Sequence, residues 1–486
     1  MDRRSQFVDA AVEAFRARLE GALSRMVQAD NAEVFCACER EVHGLALEMA
    51  AALTQSVLQQ ASDDKARRAE ALRLVRERAA GRGIKLRVER VRKTKVRTLG
   101  GQIVEVKTPY ATARPRAGPR LETRGSQGTG VYPVLDQLGI LGRSTPALRL
   151  LVSRAVCEAN SVASARELLA ATGVELGHKA ALRLTYLVSE DALRARRQAV
   201  REQREGDDGG DFAGRRVVAT VDGGRINIRR RVAGRPKKDG RKRFVTEWRE
   251  PKVLTLYVLG EDGRRDRTVP SVIDGTLGDA DAVFELMRYH LLRMGAHKAE
   301  EVTLVGDGAL WIWNRAEALR KGLGVPMERF NEIVDYFHVV ERLGDFAKSR
   351  AEWDEAYRRS WLATQKARLK AGRIEDIEAV FRRISERDPA GMETELDYWK
   401  RNRERVRYAA FRARGLPNGS GAVESSVRRV VNLRLKGASI TWTEEHAEGI
   451  LHLRAHAKSG RWSELEHTVL RTTGWRPTAR QPRKVA

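Results

Sequence analysis

Residues 215–224 read Arg-Arg-Val-Val-Ala-Thr-Val-Asp-Gly-Gly, and residues 301–309 read Glu-Val-Thr-Leu-Val-Gly-Asp-Gly-Ala. Each is an apolar run too short for a helix that ends in an aspartate beside glycine. Short runs rich in valine indicate strands buried on both faces. Downstream of the first run the pattern keeps alternating. An apolar strand is expected over 253–259, an amphipathic helix over 280–294, a helix over 311–321 and another strand over 332–337. Strands alternating with helices at these lengths predict an α/β sheet covered by helices. Asp222 and Asp307 then leave their strands at, or just beyond, the C-terminal ends, the edge on which such sheets build sites. The neighbouring glycines remove bulk, so an ion, water or a phosphate can approach. Asp-Gly is also a common turn dipeptide, and either aspartate alone says little. Two of them at the ends of buried strands say more.

A third carboxylate comes late. Residues 416–420, Leu-Pro-Asn-Gly-Ser, stop one helix, and another is expected over 421–435 with Glu424 in its first turn. The helix dipole alone favours a glutamate there. Yet Glu424, Arg428, Val431 and Leu435 fall on one helical face. The same helix could aim Glu424 at a metal and Arg428 at a phosphate, with Arg429, Arg434 and Lys436 adding charge nearby. The stretch between, 345–415, is charged, poor in glycine and helical in pattern, with Trp353, Tyr357, Trp361 and Leu369 as expected core residues.

The chain has 486 residues, enough for two to four domains. Lys plus Arg number 91 against 65 Asp plus Glu, a net charge of +26 spread along the chain. Such a field favours polyanions and phosphate backbones; the bland alternative is a basic ribosome-associated or membrane-surface protein. The densest basic stretch is 229–243, a loop expected to follow the strand that ends at Asp222. It carries Arg229, Arg230, Arg231, Arg235, Lys237, Lys238, Arg241, Lys242 and Arg243 against the single acid Asp239. A solvated charged loop is the plain alternative to DNA contact. Cys36, Cys38 and Cys157 make no disulfide framework, and Cys36-Ala37-Cys38 is too tight for a zinc knuckle. They fit buried small residues in a reducing compartment. No signal peptide or membrane-length apolar run is evident, so a cytoplasmic protein is expected.

Residues 1–80 form a helical region: Val12, Phe15, Leu19, Leu23 and Met26 recur at helical spacing, as do Val42, Leu45, Met49, Leu53 and Val57. A third, basic helix is expected over 65–80. Residues 81–113 switch to period two, giving a basic β-ribbon with its turn at Leu99-Gly100-Gly101-Gln102. A linker is expected over 114–145. Residues 146–200 are helical, with a Gly-containing turn at 172–174 in a helix-turn-helix-like pattern that would set Gly177, His178, Lys179 and Arg183 on the second helix, facing DNA. After a charged connector come the first part of the α/β core (212–344), the helical insertion (345–415), the last part of the core (416–462) and a C-terminal tail (463–486).

Four fragments together resemble a known family. They are Val221-Asp222-Gly223-Gly224, Gly306-Asp307-Gly308-Ala309-Leu310-Trp311-Ile312-Trp313-Asn314, Val334-Asp335-Tyr336-Phe337-His338 and Asn418-Gly419-Ser420-Gly421-Ala422-Val423-Glu424-Ser425. They look like bacterial insertion-sequence transposases of the DDE type, in the Kra-type group related to Mutator-like transposases. The resemblance runs roughly from 215 to 462, including Thr441-Trp442 and the run at 451–455. It implies a multidomain α/β protein with an RNase H-like catalytic core, and a helical insertion before the glutamate-bearing helix. The spacing agrees, with 85 positions from Asp222 to Asp307 and 117 from Asp307 to Glu424. Asp335 and His338 match the Asp-x-x-His signature, which would put His338 at the rim of the catalytic site. One departure is the absence of zinc-binding cysteines from the N-terminal ribbon.

The implied chemistry is two-metal phosphodiester cleavage and strand transfer. Asp222, Asp307 and Glu424 would hold two Mg²⁺ or Mn²⁺ ions, which hard oxygen ligands suit. Water makes the first attack and the freed 3′-OH the second, so no serine or tyrosine nucleophile is required. The partners would be double-stranded DNA, both element ends and target, and further copies of the chain in a homo-oligomer; the place would be the bacterial cytosol, in association with the nucleoid. The competing expectations are a hydrolytic nuclease or junction resolvase of the same fold, and a catalytically inactive DNA-binding protein derived from a transposase.

Overall fold

The computed structural model describes residues 3–81, 84–114, 130–203, 210–234, 243–389, 392–437 and 440–475. The chain is a mixed α/β protein that divides into two compact units, one of residues 1–192 with 466–486 and one of residues 193–465.

In the first unit, α1 (Arg3–Val27), α2 (Ala32–Asp63) and α3 (Lys65–Ala80) precede a hairpin of β1 (Lys85–Arg97) and β2 (Ile103–Arg114). The side chains of Asn31 and Asp64 cap α2 and α3 by accepting from Val34 N and Arg67 N. The ribbon obeys its period of two. Val96, Val104 and Val106 are buried against Ala51 and Leu58 of α2, while Lys93, Lys95 and Lys107 face solvent.

Residues 130–145, expected as linker, instead form β3 (Gly130–Val131) and α4 (Pro133–Gln137). Asp136 of α4 is buried because it accepts from Arg78 at 2.7 Å and from the Trp475 backbone. The rest of that linker, 115–129, lies outside the described residues. Then come α5 (Pro146–Glu158), α6 (Val162–Ala170) and α7 (His178–Glu202), which continues into the second unit. The helix after the Gly173 turn begins at His178, so Gly177 precedes it rather than sitting on it. Lys179 and Arg183 are exposed, and Arg183 donates to Gly142 O at 3.3 Å. Cys38 and Cys157 are buried and Cys36 is half-buried, and no disulfide links the three.

The second unit is built on a five-stranded sheet. Its strands are β4 (Arg216–Gly223), β7 (Lys252–Leu259), β8 (Val272–Thr276), β9 (Glu301–Gly306) and β10 (Phe330–Val334), in the order β10-β9-β4-β7-β8. β4, β9 and β10 run parallel; β7 is antiparallel to β4, and β8 to β7. Between β4 and β7 the chain rises into a separate hairpin of β5 (Ile226–Arg231) and β6 (Phe244–Arg249). The helices are α8 (Ala280–Arg293), α9 (Leu310–Gly322), α10 (Tyr336–Ser349), α11 (Glu355–Lys370), α12 (Ile374–Arg387), α13 (Met392–Asn402), α14 (Tyr408–Ala413), α15 (Gly421–Val427) and α16 (Glu444–Ser459), and the chain then passes back to the first unit along α17 (Trp462–Thr472). The last occupies part of the expected tail; residues 476–486 lie outside the described residues.

One hydrophobic core joins Val217, Val218, Val302 and Leu304 of the sheet to α8, α9 and the helices of the insertion. Those helices meet through Phe346, Trp361, Phe381 and Trp399, with ring centroids 4.8 Å apart for Phe346–Phe381 and 5.5 Å for Phe381–Trp399. Trp361 and Leu369 are buried as expected and Trp353 partly so, but Tyr357 is 52% exposed. The edge strand β8 is pinned by a buried charge. Asp274 accepts from Arg196 at 2.8 Å and lies 2.9 Å from His290 and 3.0 Å from His452. Burial alone would raise its carboxyl; Arg196 and the histidines hold it well below the ordinary range. Among the described residues no helix is long and apolar enough to cross a membrane.

Candidate active site

The register of the three parallel strands decides what stands at their C-terminal edge. β4 and β9 pair from Arg216 opposite Glu301 to Thr220 opposite Val305, a constant offset of 85 positions. Continued by two residues, that register sets Asp222 opposite Asp307, whose separation in sequence is the same 85. β9 and β10 pair from Phe330 opposite Val302 to Val334 opposite Gly306. One step further, Asp335 stands beside Asp307 on the other side, with its N–H donating to Gly306 O at 2.8 Å. Three aspartates therefore stand in a row along the C-terminal ends of three adjacent strands.

Asp335 does not belong to a strand running to 337, as the apolar pattern suggested. β10 stops at Val334 because the Asp335 carboxylate accepts from the N–H groups of Phe337 (2.6 Å) and His338 (3.4 Å) and starts α10. Its second oxygen accepts from both the N–H and the hydroxyl of Ser420. Tyr336 N donates to Asn418 O at 2.8 Å. A fully buried carboxylate thus ties the 418–420 loop to the end of the sheet.

That loop launches α15. The helix packs across β4 and β7 through buried Val423 and Val427, and Thr255 of β7 donates to Ser426 Oγ at 2.9 Å. Glu424 is exposed on this helix, with Ser420 Oγ 3.3 Å from its carboxylate. Past Val427 the α-helix gives way to a π-helical turn over Arg428–Asn432. Arg428 and Val431 therefore do not continue the 3.6-residue face expected for 421–435. The turn passes close to Gly224, where an added Cβ would lie 3.0 Å from Val431. Such turns occur often at functional sites.

The electrostatics couple these groups. Burial raises the Asp222 carboxyl above its ordinary range; the charges of Asp307 and Glu424 push it further up, and His338 pulls the other way. Asp222 also accepts from Gly223 N at 2.6 Å, and Asp307 from Ala309 N at 2.9 Å. Among the described residues, however, the candidate ligands that close on one another are Asp335, His338 and Glu424, whose ligand atoms all lie within 4.8 Å. Asp222, Asp307 and Glu424 do not form such a tight group. Since both Asp335 oxygens are engaged by four donors, Asp335 fits a scaffold better than a ligand. The donors that remain around the row, Asp222, Asp307 and Glu424, are carboxylate oxygens. They suit a hard divalent cation.

A carboxyl whose folded pKa is raised weakens the fold once pH climbs through its unfolded value, and the whole penalty is in force above the folded value. At pH 7, in chelator, Asp222→Asn is therefore expected to raise the melting temperature. Added Mg²⁺ should then stabilise the wild type more than the variant. Calorimetry in both media tests this; a lower melting temperature for the variant in chelator contradicts it.

His338 is partly exposed at the start of α10, 3.6 Å from Glu341, and faces a cleft of about 660 Å³ shared with Arg342, Asp388 and Glu395. Two neighbours of the site carry no sequence signal strong enough to find them. Tyr398 of α13 leaves no room for a Cβ at Gly308, and its hydroxyl is pushed up to about 12 by burial, with the charges of Glu395 and Asp307 adding to it. Lys252, opposite Gly223, sits 5.3 Å over the Trp311 ring.

The expected DNA contacts are distributed differently. Arg229, Arg230 and Arg231 are exposed but lie on β5 rather than in a loop, and Arg230 pairs with Glu247 at 2.8 Å. Arg243 is exposed just before β6. Arg235, Lys237, Lys238, Arg241 and Lys242 lie outside the described residues. Arg428 is exposed, but Arg429 donates to the carbonyls of Ser425 (3.3 Å) and Lys458 (3.1 Å) and so braces α16. In comparisons with protein-family models, with curated proteins and with solved structures, none matches this chain.

Proposed function

We propose that the second unit is an RNase H-like catalytic core and that the protein is a DDE-type DNA transposase. The observation carrying this reading is the equal 85-position offset that sets Asp222 opposite Asp307, with Glu424 brought to the same edge by the Asp335–Ser420 tie. A meander of three antiparallel strands followed by two parallel ones, in the order β10-β9-β4-β7-β8, supports the fold. The helical insertion between β10 and α15 supports the family.

In this reading Asp222, Asp307 and Glu424 hold Mg²⁺ or Mn²⁺. When bound, two such cations activate the attacking oxygen and stabilise the leaving 3′ oxygen of a phosphodiester. The carboxylates orient that chemistry, Gly223 and Gly308 keep side-chain bulk from their flanks, and His338 lies at the rim, where it can hold a phosphate or a flanking nucleotide. Double-stranded DNA is the partner, attracted by the net charge of +26. The natural setting is the bacterial cytosol, with copies of the chain pairing two element ends.

The test is incubation with Mg²⁺ and DNA carrying the element's own ends. Nicks at those ends followed by joining to target DNA are expected. Nicks without joining would favour the hydrolytic nuclease, and neither product would favour a non-catalytic DNA-binding protein. A second expectation concerns affinity. Replacing Arg229, Arg231 and Arg243 with Gln should weaken binding to all sequences alike. It should also make the salt dependence shallower by up to ~2.7, if each residue neutralises one phosphate. An unchanged slope, measured between 50 and 200 mM salt, would mean that these cations are merely solvated.

A further inference from the structure

The β5–β6 hairpin has two unlike faces. Antiparallel pairing sets Asn227 opposite Trp248, Arg229 opposite Thr246 and Arg231 opposite Phe244. Directly opposite residues share a face, so these six side chains lie on one side. The other side carries Ile226 and Ile228, buried at 0% and 1%, and the Arg230–Glu247 pair. Among the described residues the first side bears no acid. It leaves Trp248 51% and Phe244 46% exposed, a costly arrangement for two aromatics unless they have a use. The Arg225 guanidinium lies 4.9 Å over the Trp248 ring, and with that contact in place half of the tryptophan is still open.

The base of this hairpin is fixed. Arg229 N donates to Trp442 O at 2.8 Å, Trp442 N donates to Asn227 O at 3.1 Å, and the Trp442 indole donates to Leu435 O at 3.0 Å. Arg225 is three residues beyond Asp222, which limits their separation to roughly 11 Å of chain. Exposed aromatic rings interleaved with arginines are what unpaired nucleotides require. The rings take the faces of the bases and the guanidinia take the phosphates. A duplex offers phosphates but keeps its base faces stacked, and so leaves the rings unused.

We propose that this face of the hairpin is a stacking platform, centred on Trp248, for unpaired nucleotides of the DNA strand next to the reacting phosphate. The proposal rests on the catalytic reading above and adds to it that the substrate is opened beside the cut. It is tested in chelator, where no cleavage is needed. Binding of a labelled twelve-nucleotide oligo-dT and of a duplex is measured for the wild type, Trp248→Ala and Trp248→Phe. Trp248→Ala should weaken oligo-dT binding about 5- to 150-fold, the range for loss of one base stack. Trp248→Phe should recover most of that loss, and duplex binding should change less than about threefold. Wild-type affinity for oligo-dT in Trp248→Ala, an equal loss on single strand and duplex, or no binding of oligo-dT by the wild type would each overturn the proposal. Failure of the catalytic reading shows elsewhere, as uncleaved DNA in Mg²⁺ with single-strand binding intact.

Discussion

Asp222→Asn, Asp307→Asn and Glu424→Gln are each expected to abolish Mg²⁺-dependent nicking and joining while leaving DNA binding in chelator unchanged or slightly tighter. Each substitution nearly preserves shape and removes one negative charge. Asp222 stands in the field of both Asp307 and Glu424, so a cation among the three would be attracted by all of them. Removing one charge lowers cation occupancy and misplaces the attacking oxygen. Loss of ~4 kcal/mol of transition-state stabilisation corresponds to roughly a thousandfold in rate. Binding should not follow, because each variant is one unit more positive toward a polyanion. The measurement is single-turnover cleavage beside equilibrium binding for the same protein preparations. Near-wild-type cleavage by any one variant removes that residue from the proposed ligand set.

The two aspartates were legible because the signal that carries them is local. Apolar strands of matched length ending in Asp-Gly are visible in sequence, and a parallel register converts their spacing into adjacency. The same dipeptide also misleads. Asp274-Gly275 lies within β8, yet Asp274 is wholly buried among Arg196, His290 and His452 and serves the fold. No local pattern separates the two cases, since the difference lies in partners 16 to 178 residues away.

Glu424 was legible as a helix-start glutamate, but its surroundings were not. The π-helical turn at Arg428 lies against Gly224, far away in sequence, and the tie from Asp335 to Ser420 spans 85 residues. The β5–β6 hairpin was hidden for another reason. Three consecutive arginines mask strand periodicity, and only the register sorts them between a paired face and an open one. In the first unit, α4 and β3 were lost because a linker read from the Pro-, Gly-, Arg- and Thr-rich run over 114–130 was carried on to 145, across the few apolar residues that pack.

Asp335→Ala should lose both stability and activity, which distinguishes it from the three carboxylates proposed to hold metal. Asp335 is fully buried, and its two oxygens accept from Phe337 N, His338 N, Ser420 N and Ser420 Oγ. Alanine leaves these donors without an acceptor, each at a cost of about 1–3 kcal/mol before relaxation. Reorientation of Ser420 and hydration of the loop recover part of it, so a net loss of ~3 kcal/mol is reasonable. For a unit of this size that lowers the melting temperature by roughly 6–12 °C. The loop released is the one that sets Glu424 beside the sheet, and a 1 Å misplacement near reacting atoms costs on the order of a hundredfold in rate. Ser420→Ala removes one donor and leaves the caps on α10 in place. A melting-temperature loss of about 2–4 °C, with a smaller loss of rate, is expected for it. Asp307→Asn should show no comparable thermal loss. If Asp335→Ala instead melts like the wild type but fails to cleave DNA, Asp335 is itself a ligand, and the close set with His338 and Glu424 becomes the metal centre. If it melts lower but cleaves normally per folded molecule, the tie does not position Glu424, and α15 is held by its packing on β4 and β7 alone.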